Sequence, residues 1–278
     1  MNKFKLFLKT SRPAFWIVGP TVLLGGAVLG HADFSWLLIL ELLLMTFPFS
    51  LFLYGLNDIY DYESDKTNPR KNSFQGIILE PRYHKLIFRY GLLSAVLILL
   101  VAILSLNWQH ILFTALFLFL CYAYSTPPFR FKAKAPLDSI IFALSFLAAF
   151  FMGFSLGDSI VNAPLKIYYV TIMVLVLHSA STIIDYEHDK RVGDKTFAVR
   201  FGKRNTAIFV AVVSLLILIF AHIQTLLINI IIILSIIMAI IIAIKPDEKL
   251  ARRLMISLVA YSVLLALGLT IARILGFY

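Results

Sequence analysis

About nine runs of mostly apolar residues, each near the length of a membrane-spanning helix and separated by polar breaks, leave this chain few ways to fold. A hydrocarbon core about 30 Å thick takes roughly 20 apolar helical residues to cross. Inside it only helices and closed barrels satisfy their own backbone groups. The runs fall near residues 15–30, 36–56, 86–106, 111–125, 139–156, 165–184, 206–221, 225–244 and 254–275. With 60% hydrophobic and 14% charged residues, the balance excludes an ordinary soluble domain. The expected fold is all-α, a polytopic membrane helical bundle of about nine transmembrane helices forming a single domain over residues 1–278.

The formal net charge of +10 would raise the question of nucleic acid in a soluble chain. Its distribution gives another answer. With nine spans and a cytoplasmic N-terminus, the inner segments hold every one of the 25 lysines and arginines except Lys166 and Arg273. That asymmetry is the positive-inside rule. It predicts that the N-terminus and the acidic inner loops are cytoplasmic and the C-terminus is outside, and it makes a nucleic-acid partner unnecessary. Cys121 stands alone in an apolar run and says nothing about redox compartment. The opening "MNKFKLFLKTSRP" is basic and leads into an apolar run without a small-residue cleavage site, so it reads as a retained anchor.

The outer connections, "HADFS", "NWQH", "GDSIVNAP" and "HIQ", are short and look chemically featureless. The inner ones carry nearly all the acids, in two related phrases: "NDIYDYESDK" at 57–66 and "DYEHDK" at 185–190. Asn57, Asp61 and Asp65 fall at i, i+4 and i+8, with Asp58 one position round, and Asp185 and Asp189 repeat the i, i+4 spacing. On a helix each set forms one stripe of oxygens. Like charges at that spacing repel by roughly a few tenths of a kcal/mol per pair, so a cation belongs there. Oxygen donors without His or Cys pairs suit a hard ion, and Mg²⁺ is typically held by one or two carboxylates together with substrate phosphates. Two clusters could hold two ions. Lys66, Arg70 and Lys71 follow the first phrase, Lys190 the second, and Arg130, Lys132 and Lys134 the fourth run, where they could clamp phosphate oxygens. Most of the basic residues need no role beyond orienting the chain. A solvated helix end would explain one acidic phrase but not two near-copies.

"NDIYDYESD" resembles the NDxxDxxxD motif of the UbiA superfamily of intramembrane prenyltransferases, and "DYEHDKRVGDKT" resembles that family's second motif, DxxxD followed by a glycine and a threonine. "SRP" at 11–13 and "YSTPPFRFK" at 124–132, similar to YSxPPxRxK, agree. The resemblance implies a helical bundle around a central cavity with both motifs at its cytoplasmic end. It implies two Mg²⁺ ions bridging an isoprenoid diphosphate donor to carboxylates. One ion would sit on Asn57, Asp61 and Asp65 and the other on Asp185 and Asp189, with Asp58 supporting. Arg12, Lys66, Arg70, Tyr124, Arg130, Lys132 and Lys190 are the candidate donor-binding residues.

The chemistry implied is ionisation of an allylic C–O bond, with the charge on the departing diphosphate stabilised by metal, Lys and Arg. The remaining carbocation must be shielded from water until a lipophilic acceptor attacks. Aromatic faces attract cations, and the candidates are Phe47, Phe49, Phe52, Tyr54, Tyr122, Tyr124, Phe142, Phe146 and Phe150. A membrane phenylalanine more often faces lipid or packs. His178 and Ser181, within the sixth run, stand before Asp185; His178 could take up the acceptor's proton or could simply be a hydrogen-bonded packing residue.

The first motif continues "KTNPRKNSFQGIILEP" and lacks the later Arg-Pro of branches that act on aromatic acids. It is closer to the lycopene elongases, whose NPRKGG carries glycines where Asn72 and Ser73 stand here. A lycopene-type carotenoid is therefore the first acceptor to consider. An aromatic acceptor of a quinone or tocopherol route and a glycerol ether lipid are the alternatives. A cation-coupled transporter would place its acids near the bilayer midplane, whereas these lie at helix ends. A catalytically inert scaffold would not need both motifs intact.

Overall fold

The computed structural model describes residues 2–67, 76–221 and 226–274, the side chains of 227 and 263–274 excepted. Regular structure in these residues is helical, apart from one isolated parallel bridge between Lys134 and Lys195. The chain forms two compact units, Met1–Phe131 with Leu144–Pro164, and Lys132–Ala143 with Leu165–Tyr278.

The first unit contains α1 (Lys3–Thr10), α2 (Val18–Leu29), α3 (Trp36–Leu44), α4 (Phe47–Tyr60), α5 (Tyr62–Asp65), α6 (Pro81–Leu104), α7 (Trp108–Ser125) and the greater part of α8 (Leu137–Phe154). Local chemistry sets several of these ends. Asn2 caps α1 by accepting the Lys5 amide at 3.2 Å, and Asn107 caps α7 by accepting the amides of Gln109 and His110 at 3.0 and 3.3 Å. The apolar run 36–56 is broken into α3 and α4 because of Pro48. A proline ring strikes the carbonyl four residues back, here that of Leu44, and α3 ends on Leu44. Leu6, Leu51, Ile77, Leu79 and Ile87 form a buried cluster that ties α1, α4 and α6 to the segment entering α6. α2 and α8 meet backbone to backbone: a Cβ on Gly26 would overlap the Phe150 carbonyl oxygen, and one on Gly153 the Leu23 carbonyl oxygen.

The second unit contains the start of α8, then α9 (Lys166–Ser181), α10 (Tyr186–Val192), α11 (Phe197–Phe201), α12 (Lys203–Phe220), α13 (Leu226–Ile244) and α14 (Glu248–Ile274). Its core is built on Val176, Ile183, Val210 and Ile242, with Ala180, Ala198, Ala207, Ala239 and Ala251 letting helices approach closely. The sixth apolar run, expected to 184, ends its helix at Ser181, and α10 leaves at 75° to α9.

The sequence predicts nine spans. By length and composition five described helices can cross a bilayer, Trp36–Tyr60 counted as one, or seven if each bent pair is a single span; α13 adds a shorter apolar stretch, Ile228–Ile244. On α6 the exposed Leu93, Leu97, Leu100 and Leu104 repeat at helical spacing. Such a stripe has hydrocarbon as its natural solvent, and the chain is an integral, multi-pass membrane protein.

Candidate functional site

In the first unit the acidic phrase straddles the end of α4. The helix is interrupted at Asp61, yet the Asp61 amide still donates to the Asn57 carbonyl at 2.9 Å and the Asp65 amide to the Asp61 carbonyl at 2.7 Å. That ladder keeps Asn57, Asp61 and Asp65 on one side, as their spacing predicts. Asp65 is buried and Asp61 half-buried. Asp61 accepts a hydrogen bond from the Arg130 guanidinium at 3.3 Å, so the arginine of "YSTPPFRFK" is brought to the first motif.

Asp58 points elsewhere. It is fully buried and pairs with Arg12 at 2.6 Å, while the Arg12 guanidinium lies over the Tyr54 ring, 4.4 Å from its centroid. Asp58 and Arg12, expected respectively beside the metal and on the donor, are thus paired with each other. The guanidinium also covers Gly76, where a Cβ would come within 2.9 Å of the Arg12 Nε and where a φ of +120° favours glycine. Lys66 is exposed and bonds Glu63 at 2.9 Å over the Tyr62 ring, and the hydrogen bond to Glu63 raises its pKa. Tyr124 is half-buried on α7. Arg70 lies outside the described residues, as do Asn68, Pro69, Lys71, Asn72 and Ser73.

In the second unit Asp185 stands at the bend and Asp189 one turn into α10, with the Asp189 amide donating to the Asp185 carbonyl at 2.8 Å. The Thr196 hydroxyl donates to Asp189 Oδ2 at 3.0 Å. Thr196 is itself placed by a strap of backbone bonds. The Lys195 amide donates to the Ala133 carbonyl at 3.0 Å, and the Ala135 amide to the Lys195 carbonyl at 2.7 Å. The Phe197 amide donates to Asp138 Oδ2 at 2.6 Å, and the Ala198 amide to the Thr182 hydroxyl at 3.0 Å. Asp138 is fully buried, and it supplies the acceptor that the first turn of α11 needs. Sequence reasoning missed it, because the fifth run was started one residue later. The available signal was a carboxylate at the edge of an apolar run, which is costly without a partner. Lys132 is half-buried, whereas Lys190 is exposed with its ammonium 5.7 Å from the Tyr186 ring centroid.

His178 lies on α9, seven residues before Asp185. Its Nδ1 is 3.2 Å from the Ser139 hydroxyl, and its ring stacks on Phe142 with centroids 4.2 Å apart. Ser181 instead donates to the His178 carbonyl at 2.7 Å. Of the candidate cavity aromatics, Phe49, Phe52 and Phe150 are buried within the packing of the first unit, Phe49 against Phe117 at 4.9 Å.

Away from both motifs, the first unit hides a second polar centre. His110 Nε2 and Glu41 Oε1 are 2.6 Å apart, His110 Nδ1 is 2.7 Å from the Met152 carbonyl, and both side chains are almost completely buried. Asn107 Nδ2 donates to the Ser155 carbonyl at 2.5 Å, and Gln109 Nε2 to the Ser159 hydroxyl at 3.2 Å. The connection "NWQH", featureless as text, joins α3, α7 and the end of α8.

Among the described residues, no three or more His, Cys, Asp or Glu side chains come together closely enough to hold an ion by themselves. The first motif offers two aspartates and an amide, the second two aspartates. These are oxygen donors too few for an all-protein cage and suited to Mg²⁺, which completes its shell with water and phosphate. The donor set fits an ion that arrives with a diphosphate.

The chain is similar to a lycopene elongase/hydratase of Corynebacterium glutamicum, 28% identical over 167 residues, which are 60% of this chain and 58% of that protein. The chain thus spans less than two thirds of that relative. A lycopene elongase/hydratase of Haloarcula japonica is 32% identical over 203 residues, 72% of this chain and 68% of that one. Among solved structures, a UbiA homolog from Archaeoglobus fulgidus bound to DMAPP and Mg²⁺ shares the fold with a TM-score of 0.67 at 22% identity, over 93% of this chain and 98% of that one. The profile of the UbiA prenyltransferase family matches residues 18–265, and the chain belongs to that family.

Proposed function

We propose that this protein is a Mg²⁺-dependent intramembrane prenyltransferase that moves an isoprenyl group from an allylic diphosphate to a lipophilic acceptor, with a lycopene-type carotenoid as that acceptor. The observation that carries the reading is the pair of helix-end motifs, each keeping two aspartates one turn apart through an unbroken backbone ladder. The names of the two relatives support the acceptor, and the DMAPP and Mg²⁺ held by the solved homolog support the donor and the metal.

Asn57, Asp61 and Asp65 would hold one Mg²⁺, and Asp185 and Asp189 a second. When bound, the metal neutralises charge on the diphosphate as it leaves. Arg130, beside Asp61, and Lys132, Lys190 and Lys66 are placed after the motifs to bind the remaining phosphate oxygens. Arg12 acts at one remove, by fixing Asp58 and hence the turn of helix that carries Asn57 and Asp61. The apolar interior keeps water from the allylic cation until the acceptor attacks. Both motifs and the N-terminus lie on the cytoplasmic side in this reading, as the basic residues direct.

The test is product analysis by mass spectrometry with purified protein in lipid, Mg²⁺, allylic diphosphates from C5 to C20, and lycopene, hydroxybenzoate and naphthoate as acceptors. A mass increase on lycopene is expected and identifies the donor in the same experiment. Prenylation of an aromatic acid would replace the acceptor, while absence of both product and EDTA-sensitive diphosphate release would overturn the enzyme.

A further inference from the structure

We infer that the hairpin of α13 and α14 binds one anionic phospholipid, with an acyl chain in the groove between the two helices and the phosphate on Lys245 and Arg253. The groove measures about 240 Å³ and lies within the second unit. Ile237 and Ile241 on α13 and Leu254 and Leu258 on α14 form its apolar walls. Sites for compact small molecules run to roughly 300–1,000 Å³ and bring several converging polar groups. A narrower furrow of aliphatic side chains suits a single hydrocarbon chain.

Helical register puts positive charge at one end of this furrow. Ile237, Ile241 and Lys245 stand at i, i+4 and i+8, and the Lys245 amide still donates to the Ile241 carbonyl at 3.0 Å, so the ridge runs unbroken past the end of α13. On α14, Arg253, Ser257 and Tyr261 repeat that spacing, and the last two line the groove. Lys245 and Arg253 are exposed, and neither side chain pairs with a carboxylate among the described residues. The two acids nearby are engaged elsewhere. Asp247 accepts the Leu250 amide at 2.8 Å at the start of α14, while Glu248 pairs with Lys203 at 3.5 Å and accepts the Glu187 amide at 3.1 Å.

An apolar furrow ending in unpaired cations is the complement of an amphiphile with a negative head. Depth agrees with a phospholipid. Arg253 and Ser257 are four residues apart, about 6 Å along the helix. The headgroup layer on each side of the hydrocarbon core is about 5–7 Å deep, so a phosphate at Arg253 puts Ser257 at the level of the ester carbonyls. The Ser257 hydroxyl is exposed and makes no hydrogen bond among the described residues, and an ester carbonyl supplies an acceptor. A choline head would bring a further cation against Lys245 and Arg253. A second copy of the chain in the same bilayer would bring its own pair to the same level. An anionic phosphate meets neither repulsion.

The test is native mass spectrometry of the full-length protein, delipidated in detergent and titrated with dioleoyl phosphatidylglycerol or, separately, dioleoyl phosphatidylcholine. One phosphatidylglycerol should bind at least about fivefold more tightly than phosphatidylcholine; R253Q should weaken that site about fivefold and K245Q/R253Q about 25-fold, the scale of one and two basic contacts. R252Q removes the same charge about 100° round the helix and should leave the site unchanged. Equal affinity for the two lipids, or an equal loss in R252Q, would overturn the site in favour of diffuse surface charge. Soluble glycerophosphoglycerol, the head without its chains, should not displace the lipid at equal concentration, and displacement would remove the groove from the site. Displacement by geranylgeranyl diphosphate would overturn the inference by giving the groove to a prenyl chain. A dimer that phosphatidylglycerol does not dissociate would give it to a second copy. If a variant fails to fold, the lipid comparison and the headgroup competition on the unmodified protein decide the question.

Discussion

Asp138 accepts the backbone hydrogen of Phe197 at 2.6 Å across 59 residues of chain, and through that bond the strap carrying Thr196 is held against Asp189. Asp138→Ala leaves a buried amide without its acceptor, a loss of about 1–3 kcal/mol. It should also loosen Asp189 and weaken the Mg²⁺ dependence of turnover several-fold. Asp138→Asn retains an acceptor oxygen and should keep most of both. Thermal unfolding in detergent and Mg²⁺ titration of turnover separate the two variants.

Asp61 and Asp58, three residues apart, should fail in opposite ways. Asp61→Ala removes a half-exposed oxygen donor and should abolish turnover with little change in unfolding temperature. Asp185→Ala should behave like it. Asp58→Ala leaves a largely buried Arg12 charge without its partner, and breaking such a pair costs up to about 3 kcal/mol. Unfolding curves beside activity decide it; an Asp58→Ala protein as stable as the original would remove Asp58 from the scaffold.

Arg130→Gln should move two affinities apart. Arg130 neutralises Asp61 at 3.3 Å in this half-exposed pair, and its removal should tighten binding of Mg²⁺ alone by at most about fivefold, the scale of a screened ion pair. Donor binding should weaken, because the phosphate ligand proposed above is lost. Calorimetry with metal alone, and donor titration at saturating metal, give the two numbers; a shift in the same direction for both would defeat the dual role.

The buried pair of Glu41 and His110 serves stability. Glu41→Ala should cost about 3 kcal/mol by leaving His110 Nε2 buried without its partner. The apparent affinity for the donor should remain as it was. A changed donor affinity at normal stability would place this pair in the substrate path instead.

Spacing made the motif geometry legible. An i, i+4 stripe depends only on helical backbone, and the ladders through Asn57, Asp61 and Asp65 and through Asp185 and Asp189 keep it even where the helices are interrupted. The partners of those residues were illegible for the opposite reason. Arg12 to Asp58, Glu41 to His110 and Phe197 to Asp138 are long-range pairings between residues that look like ordinary orienting charges, loop text or a helix edge until the chain is folded. Span limits suffered similarly. Hydropathy runs straight through Pro48, where sterics stop the helix, and past Ser181, where the chain turns over residues 182–185.

The meeting of α2 and α8 leaves no layer of side chains between Gly26 and Phe150 or between Gly153 and Leu23. Rotamers are the bearings on which packed helices slip, and a joint without them behaves as a weld. Whatever elasticity the first unit needs to accommodate guests of different girth must come from its other seams. Variants at these two glycines belong with folding defects, and a search for altered chain-length preference would gain nothing by starting there.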